Sequence, residues 1–364
     1  MSIVEVLFVN HLKMKILFLP NWTVVNSDMD ITDLQTPDKY ISGKPYWFFR
    51  YFPKDTQVDI IDIQAKSRWY GIEKKLRVYI LQAIMAFKKA QQYDVVISHG
   101  APSGLIYALL SRFKKKENRP LHVIIDVGSM NMGRNNRLEI SIIKVALKSN
   151  PAIIYHSSIQ KIYYETHYKK IIKQSLFIPF GVNIREFLPL GLPAADYVLA
   201  FGCGNRDYQT LVNAWQEIDT STCLYIIGDT SIESCGNIVS FPKLPVLELK
   251  QYIAKSLFVV IPMPVFNYSY GQMSFLQSMA MGKPVIVTET PSSTDYLQKA
   301  QGAFLVNPYN KTDMKTKIEY LLNNKDKLDD FGNNARNDIT NYHFDEQTMA
   351  EKIYNFVQTT GWYK

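Results

Sequence analysis

Residues that could hold a phosphorylated ligand gather at 269–273, Ser-Tyr-Gly-Gln-Met, with Gln277 about a turn and a half further on. An apolar run over 258–262 precedes them, and Gly282-Lys283-Pro284 follows as a helix stop signal. A helix that begins near Gly271 or Gln272 offers free backbone amides to phosphate oxygens, and the glycine lets a ligand approach the backbone. The alternative is a purely structural helix, which explains the apolar residues Met273, Phe275, Leu276, Met279 and Met281 but leaves 269–272 unexplained.

Arg206 is a second candidate phosphate ligand, because it follows the turn Gly202-Cys203-Gly204. A guanidinium at this point can neutralise a diphosphate leaving group without a metal ion. The alternative is a structural ion pair with Asp207 or Asp229. The Gly-x-Gly spacing does not indicate NAD binding, since the rest of the dinucleotide fingerprint is missing.

Two side chains of the first half follow predicted strands and could move a proton. His99 ends a strand and precedes the helix-opening sequence Gly100 to Gly104, and Asp126 ends the next strand. Either could accept the proton of an attacking hydroxyl. The alternatives are helix capping by Asp126 and simple hydrogen bonding by His99. His156, also at a strand end, is interpreted as a structural histidine.

The chain shows no pattern typical of a metal site or a resident cofactor. Asp28-Met29-Asp30 has the spacing of a D-x-D metal motif, but it lies in a long predicted loop after the first strand. Cys203, Cys223 and Cys235 have no CxxC or Cys/His spacing, which excludes a zinc site and a disulfide framework. We expect no metal, no cofactor and a reducing, cytoplasmic environment.

Short apolar runs alternate with helical patterns along the whole chain, as in parallel sheets with crossover helices. The predicted strands are 16–20, 58–63, 95–98, 123–127, 153–156, 176–179, 197–202, 224–228, 258–262, 284–288 and 302–306. Prolines and glycine predict a linker over 187–196. We therefore expect an α/β protein with a first domain over 1–186, a second over 197–345, and a terminal helix over 346–364 that returns to the first domain. Ligands of such folds bind at the carboxyl ends of the strands.

Composition and charge narrow the class of protein further. The 364 residues are 47% hydrophobic, which excludes a disordered chain, and the apolar runs are too short to span a membrane. Residues 1–193 carry 27 Lys and Arg against 15 Asp and Glu, whereas 194–364 carry 14 against 18. Basic clusters over 66–77 and 112–119 suit an anionic membrane surface or a solvated helix face. No nucleic-acid-binding motif accompanies them.

The first thirteen residues do not have the features of a signal peptide. Glu5 interrupts the apolar stretch, and neither a basic start nor a small-residue cleavage site is present. Met14 is an alternative first residue, since a strand pattern follows it directly.

The stretch 262–288, and above all its end MAMGKPVIVT, resembles the nucleotide-sugar-binding region of group 1 (family 4-like) retaining glycosyltransferases. Three further segments are similar in order and spacing: IPFGVNIREF, FGCGNRDYQTLVNAW and ARNDITNYHFDEQTMAEKIYNF. The resemblance covers about residues 150–360. It implies the GT-B fold, in which two Rossmann-like domains face a central cleft, with a UDP- or GDP-type sugar donor bound by the second domain and a glycan or lipid-linked acceptor bound by the first.

The resemblance also assigns roles to the residues of the second half. It places the diphosphate at Arg206, Gly204 and the amides of Gly271, Gln272 and Met273, with Tyr270 beside them. The family's paired glutamates fall here on Ser269, at the sugar, and Gln277, at the ribose. Neither replacement is charged, which weakens hydrogen bonding to sugar hydroxyls.

In the family, a histidine often follows the strand that corresponds to 123–127. This histidine has no counterpart here, because that site is occupied by Asp126 or Val127.

Two alternatives to an active glycosyltransferase stay open: a non-catalytic nucleotide-sugar-binding homologue and a nucleotide-sugar 2-epimerase.

Overall fold

The computed structural model describes residues 14–131 and 136–361. The choice between Met1 and Met14 as the first residue, and the signal-peptide question, concern residues 1–13 and lie outside the described residues. No helix in the described ranges has the length and apolarity needed to cross a membrane.

The first domain is built on a six-stranded parallel sheet. Its strands are β1 (Lys15–Leu19), β4 (Gln57–Ile60), β5 (Val95–His99), β6 (Leu121–Asp126), β7 (Ala152–Tyr155) and β8 (Ser175–Phe177), in the order β4-β1-β5-β6-β7-β8. The pair β2 (Val25–Ser27) and β3 (Lys39–Ile41) lies in the long segment after β1. The helices are α1 (Tyr70–Leu76), α2 (Ile80–Lys89), α3 (Ala101–Ser111), α4 (Arg137–Leu147) and α5 (Ile159–His167).

The second domain repeats the architecture with another six-stranded parallel sheet. Its strands are β9 (Tyr197–Phe201), β10 (Cys223–Ile227), β11 (Ile238–Phe241), β12 (Val259–Ile261), β13 (Val285–Thr288) and β14 (Ala303–Val306), in the order β11-β10-β9-β12-β13-β14. This is the Rossmann order. The helices are α6 (Tyr208–Trp215), α7 (Val246–Lys255), α8 (Gln272–Ala280), α9 (Pro291–Leu297), α10 (Lys311–Leu322) and α11 (Leu328–Asn341).

The final helix, α12 (Glu346–Gly361), returns to the first domain. Met349, Ala350, Ile353 and Val357 are buried in the same apolar cluster as Ile16 and Phe18 of β1 and Ile97 of β5. Before this return, the backbone of Asp345 pairs with Val182, so the two crossing segments lie side by side.

The predicted fold class is confirmed, and each predicted strand is present within a few residues. Three strands were missed: β2 and β3, which form a short pair with little burial, and β11, at the sheet edge. Strands of three or four residues are too short for periodicity to reveal them.

Candidate functional site

Each sheet has a point at which the strand order changes direction, between β1 and β5 in the first domain and between β9 and β12 in the second. In open parallel sheets, ligands bind at the carboxyl ends of the strands at such points. The loops that begin there start at Pro20, Gly100, Gly202 and Pro262. His99 and Arg206 therefore lie at the switch points of their domains, and each follows a strand as the sequence predicts.

Arg206 is directed by its turn towards the first turn of α8. Gly202, Gly204 and Asn205 have φ of +134°, +76° and +51°, and a Cβ at Gly202 would lie 2.6 Å from the Arg206 guanidinium. The guanidinium, packed over this glycine, donates to the Phe201 carbonyl oxygen at 3.3 Å and to Ser274 Oγ at 2.7 Å. No carboxylate accepts from it among the described residues, so the structural ion pair with Asp207 or Asp229 is absent.

The amino terminus of α8 begins where the sequence predicts. Gly271 precedes it in the left-handed conformation, with φ of +80°, and no side chain caps the helix. Uncapped amides of a first turn are anion-binding donors, and Arg206 adds a positive charge beside them. Gly271 also has a structural reason to be glycine, because a Cβ there would lie 2.2 Å from Met263 Sδ.

The predicted donor-binding residues fall into two groups: side chains that form hydrogen bonds within the second domain, and residues that are exposed or have no side-chain hydrogen bond in the described part of the chain. The hydroxyl of Tyr270 donates to the Pro264 carbonyl oxygen, and the buried amide of Gln272 donates to Ser292 Oγ. These two side chains hold the loop and the helix in place. Ser269 is half-buried and has no side-chain hydrogen bond within the described residues, whereas Gly204 and Met273 are exposed.

Helix α8 carries two further polar residues, Gln277 and Ser274. Gln277 is 7% exposed and donates to Gln35 Oε1 of the first domain at 3.3 Å, so it faces the gap between the domains. Ser274, three residues after Gly271, was not predicted. Its spacing on the helix was the only available signal, and the contact with Arg206 is what identifies it.

His99 occupies an aromatic environment at the end of β5. It is 7% exposed, its ring lies 4.9 Å from Trp22 and 5.4 Å from Trp47, and neither ring nitrogen has a hydrogen-bond partner among the described residues. Burial, with a smaller contribution from nearby His156, lowers the pKa of His99 to about 3. A neutral imidazole of this kind is a weak base at neutral pH and can serve as a hydrogen-bonding group.

Asp126 has many structural hydrogen bonds. It is fully buried, and its carboxylate accepts from Tyr164 at 2.5 Å, from Gln160 at 3.3 Å and from the backbone of Gly128 at 3.1 Å. Burial raises the pKa of Asp126, and the hydrogen bonds from Tyr164 and from the backbone of Gly128 act in the opposite direction. The geometry favours a structural role, close to the capping alternative, and the catalytic role stays a prediction. His156 is a structural histidine, since its Nδ1 is 2.7 Å from the Ile178 carbonyl oxygen.

A polar clasp joins the two domains at α9. The Asp295 carboxylate accepts from Ser158 N at 2.7 Å, Ser158 Oγ at 2.6 Å and Ser157 Oγ at 3.0 Å. The neighbouring Tyr296 hydroxyl donates to the His156 carbonyl oxygen at 2.8 Å and accepts from Phe180 N at 2.7 Å. These bonds hold the loops after β7 and β8 against the second domain.

Within the described ranges, no three His, Cys, Asp or Glu side chains form a group that could hold a metal ion. Asp30 of the D-x-D sequence pairs instead with Lys39 at 2.7 Å.

Part of the second domain is similar to a known protein family. Residues 197–324 match the family model described as glycosyl transferases group 1. A comparison with curated protein sequences finds no match.

Solved structures resemble the whole chain. Sucrose-phosphate synthase from Thermosynechococcus elongatus has a TM-score of 0.67 and 17% identity, over 95% of this chain and 99% of that chain. HepE from Anabaena, in complex with UDP and glucose, has a TM-score of 0.65 and 13% identity, over 95% and 100%. A glycosyltransferase from Rickettsia africae has a TM-score of 0.63 and 16% identity, over 95% and 98%. At such identities the likeness establishes the fold, which is GT-B.

Proposed function

We propose that this chain, whose second domain is a group 1 glycosyltransferase domain on a GT-B fold, transfers a sugar from a nucleotide diphosphate sugar to a glycan or lipid-linked acceptor. The observation that carries the proposal is the meeting of Arg206, Ser274 and the uncapped amino terminus of α8. A diphosphate bound there receives backbone amides, a hydroxyl and a guanidinium, which together favour a dianionic leaving group. HepE, of the same fold, is described in complex with UDP and with UDP-glucose, which supports a UDP-type donor.

The reaction proposed is a metal-independent transfer with retention of anomeric configuration. Arg206 and the α8 amides stabilise the negative charge that develops on the leaving diphosphate, which is the part of catalysis a metal would otherwise supply. His99 is too weak a base to take a proton in an inverting reaction, because burial keeps its pKa at about 3. In this scheme the leaving phosphate accepts the acceptor's proton, and neutral His99 positions the acceptor by hydrogen bonding. Gln277 and Ser269 contact the ribose and the donor sugar.

The test is a transfer assay with UDP-, GDP-, ADP- and CDP-sugars, read by mass spectrometry, with and without a metal chelator. Chelator-resistant release of one nucleotide, coupled to a glycosylated product with the donor's anomeric configuration, supports the proposal. Arg206→Ala should reduce turnover about 100-fold or more. Binding without turnover would favour the non-catalytic alternative, and isomerised sugar formed without an acceptor would favour the 2-epimerase.

We further propose that the acceptor is met at an anionic membrane surface, as in surface polysaccharide or glycolipid synthesis, on the cytoplasmic face. Trp69, Ile72 and Leu76 are 52%, 55% and 62% exposed on and beside α1. The surrounding residues are basic: Lys66, Arg68, Lys74, Lys75 and Arg77. Exposed apolar groups that enter the interface and cations that face acidic lipids are the two components of reversible membrane binding.

Co-sedimentation with anionic vesicles at low salt tests this proposal. The variant Trp69→Ser with Ile72→Ser should lose most of the binding. The control, Leu190→Ser with Leu192→Ser, alters leucines of the linker that are 37% and 38% exposed and should bind as the wild type does. Absence of wild-type binding would rule out the membrane proposal and leave the transferase proposal unaffected.

A further inference from the structure

A cavity of about 540 Å³ lies between the domains, outside the donor constellation. Its walls come from three parts of the chain: the first-domain segment 30–50, the crossing segment around Asn183 to Glu186, and the amino-terminal half of α7. The volume falls in the range of small-molecule sites. Neither the 202–206 turn nor any residue of α8 contributes to the wall, so the cavity is a separate compartment from the predicted diphosphate site.

The charge of the cavity wall is predominantly positive. Lys39 pairs with Asp30, and Arg50 lies 3.6 Å from Glu346. Three further cations line the cavity, one from each part of the wall: Lys44, Arg185 and Lys250. None of the three has an ion-pair partner among the described residues, although Lys250 lies over the Phe187 ring. Asp30 and Glu186 of the same wall attract Lys44 and Lys250, but five cations face these two carboxylates, and the net positive charge favours an anionic ligand.

A second observation points to a ligand that also carries hydroxyl groups. Glu186 lines the same cavity, and its Oε1 accepts from Thr36 N at 3.4 Å. Its Oε2 is buried and has no hydrogen-bond partner in the described chain. A buried acceptor without a donor is costly, and a ligand hydroxyl would satisfy it.

Other residues of the wall are neighbours of residues that are proposed to act on the acceptor and on the donor. Trp47 and Tyr46 form an aromatic side, and Trp47 is also in ring contact with His99. On the other side, the lining residue Thr36 is next in sequence to Gln35, which contacts Gln277. The cavity wall therefore shares Trp47 with the surroundings of His99 and is adjacent in sequence to Gln35, the partner of Gln277.

We infer that this cavity binds a phosphorylated sugar head group, and that this group belongs to the acceptor of the proposed transfer. Lys44, Arg185 and Lys250 hold the phosphate, with Arg185 able to bind two oxygens at once. The Glu186 carboxylate accepts a hydrogen bond from a sugar hydroxyl, and Trp47 forms the apolar wall. The inference rests on the proposed function. The phosphate is either that of a soluble sugar phosphate or that of a lipid-linked sugar.

Calorimetric titration with the donor site saturated by UDP tests the inference. One arm uses glucose 6-phosphate, and the other uses neutral-lipid vesicles carrying a polyprenyl diphosphate sugar. We expect binding in at least one arm, weakened about tenfold or more by Arg185→Ala with Lys250→Ala. Lys255→Ala, at the exposed far end of α7, is the matched control and should bind as the wild type does. The arm that binds identifies the source of the phosphate.

Three results would overturn the inference: no binding in either arm, equal binding by the double variant, or binding of the sugar phosphate only when the nucleotide is left out, which would assign the cavity to the donor. A separate titration of the nucleotide into the double variant shows that it is folded. GDP, ADP or CDP replaces UDP if one of these binds instead. If none of the four binds the wild type, the proposed function fails instead, and the two failures are thereby distinguished.

Discussion

Each of the two domains is built on a six-stranded parallel sheet, and the domains differ at the edges that face each other. The second domain presents glycine turns, an uncapped helix and Arg206. The first presents aromatic rings around a buried histidine, with no hydrogen bond to its ring nitrogens from any described residue. A diphosphate is recognised by charge and backbone donors, whereas the ring of an acceptor sugar is recognised by shape and neutral hydrogen bonding. This difference supports the proposal that the second domain binds the donor and that the first domain binds the sugar ring of the acceptor.

The largest expected effect concerns the buried histidines, which all lie in the first domain. Burial lowers the pKa of His99 and His122 to about 3 and that of His156 to about 4. Folded-state pKa values below the unfolded value of about 6.5 stabilise the fold above that pH, and the stabilisation is lost as the pH falls. For each of the three histidines, the contribution to the unfolding free energy should be about 2 kcal/mol lower at pH 5 than at pH 7.

Denaturant unfolding at the two pH values measures this loss. Between pH 7 and pH 5, the unfolding free energy of His122→Gln should fall by about 2 kcal/mol less than that of the wild type. His343→Asn, at an exposed histidine of the second domain, should leave the difference unchanged. An equal change in both variants would contradict the contrast between the domains.

The second prediction separates donor binding from transfer. His99→Leu keeps most of the side-chain volume and breaks no hydrogen bond, since neither nitrogen has a partner within the described residues. Transfer should fall about tenfold while UDP affinity is unchanged, because the proposed role of His99 is a hydrogen bond to the acceptor. Steady-state kinetics with UDP calorimetry would refute this if UDP affinity fell in parallel.

Glu346 is the first residue of α12, the helix that returns from the second domain to the first. Burial raises its pKa to about 7; Arg50 and Trp47 oppose the shift, and Glu186 and Asp345 add to it. A folded-state pKa above the unfolded value gives stability below pH 4.5 that is lost as the pH rises through about 7. Between pH 5 and pH 8, wild type should lose about 2 kcal/mol relative to Glu346→Gln. Parallel pH profiles of the two proteins would show that the carboxyl group is not coupled to folding.

The smallest expected effect concerns the clasp between the domains. Asp295→Ala removes the acceptor of three hydrogen bonds from Ser157 and Ser158 and should lower the unfolding free energy by about 1–2 kcal/mol. It should also widen the separation of the domains in small-angle scattering. Asp330→Ala, at an exposed acidic residue, is the control. Unchanged scattering of the Asp295 variant would show that other contacts suffice to hold the domains together.

Local patterns in the sequence were enough to predict the two six-stranded sheets apart from β11, the start and end of α8, and the place of Arg206. Each of these depends on residues within one element or one turn. The roles of Gln272, Tyr270 and Ser274 were not predictable in this way, because adjacent polar residues of a helix face different neighbours. The clasp, the Glu186 cavity and the Gln35–Gln277 contact join residues more than a hundred positions apart, and no local pattern reports such contacts.

The proposed nucleotide site of the second domain consists of Arg206 and the amino terminus of α8. It can be tested by calorimetric titration of UDP, GDP, ADP and CDP into wild type, Arg206→Ala and Lys299→Ala. We predict that one nucleotide binds wild type and Lys299→Ala equally and binds Arg206→Ala about tenfold or more weakly. Binding of none of the four, or equal binding by Arg206→Ala, would show that this site does not bind the donor.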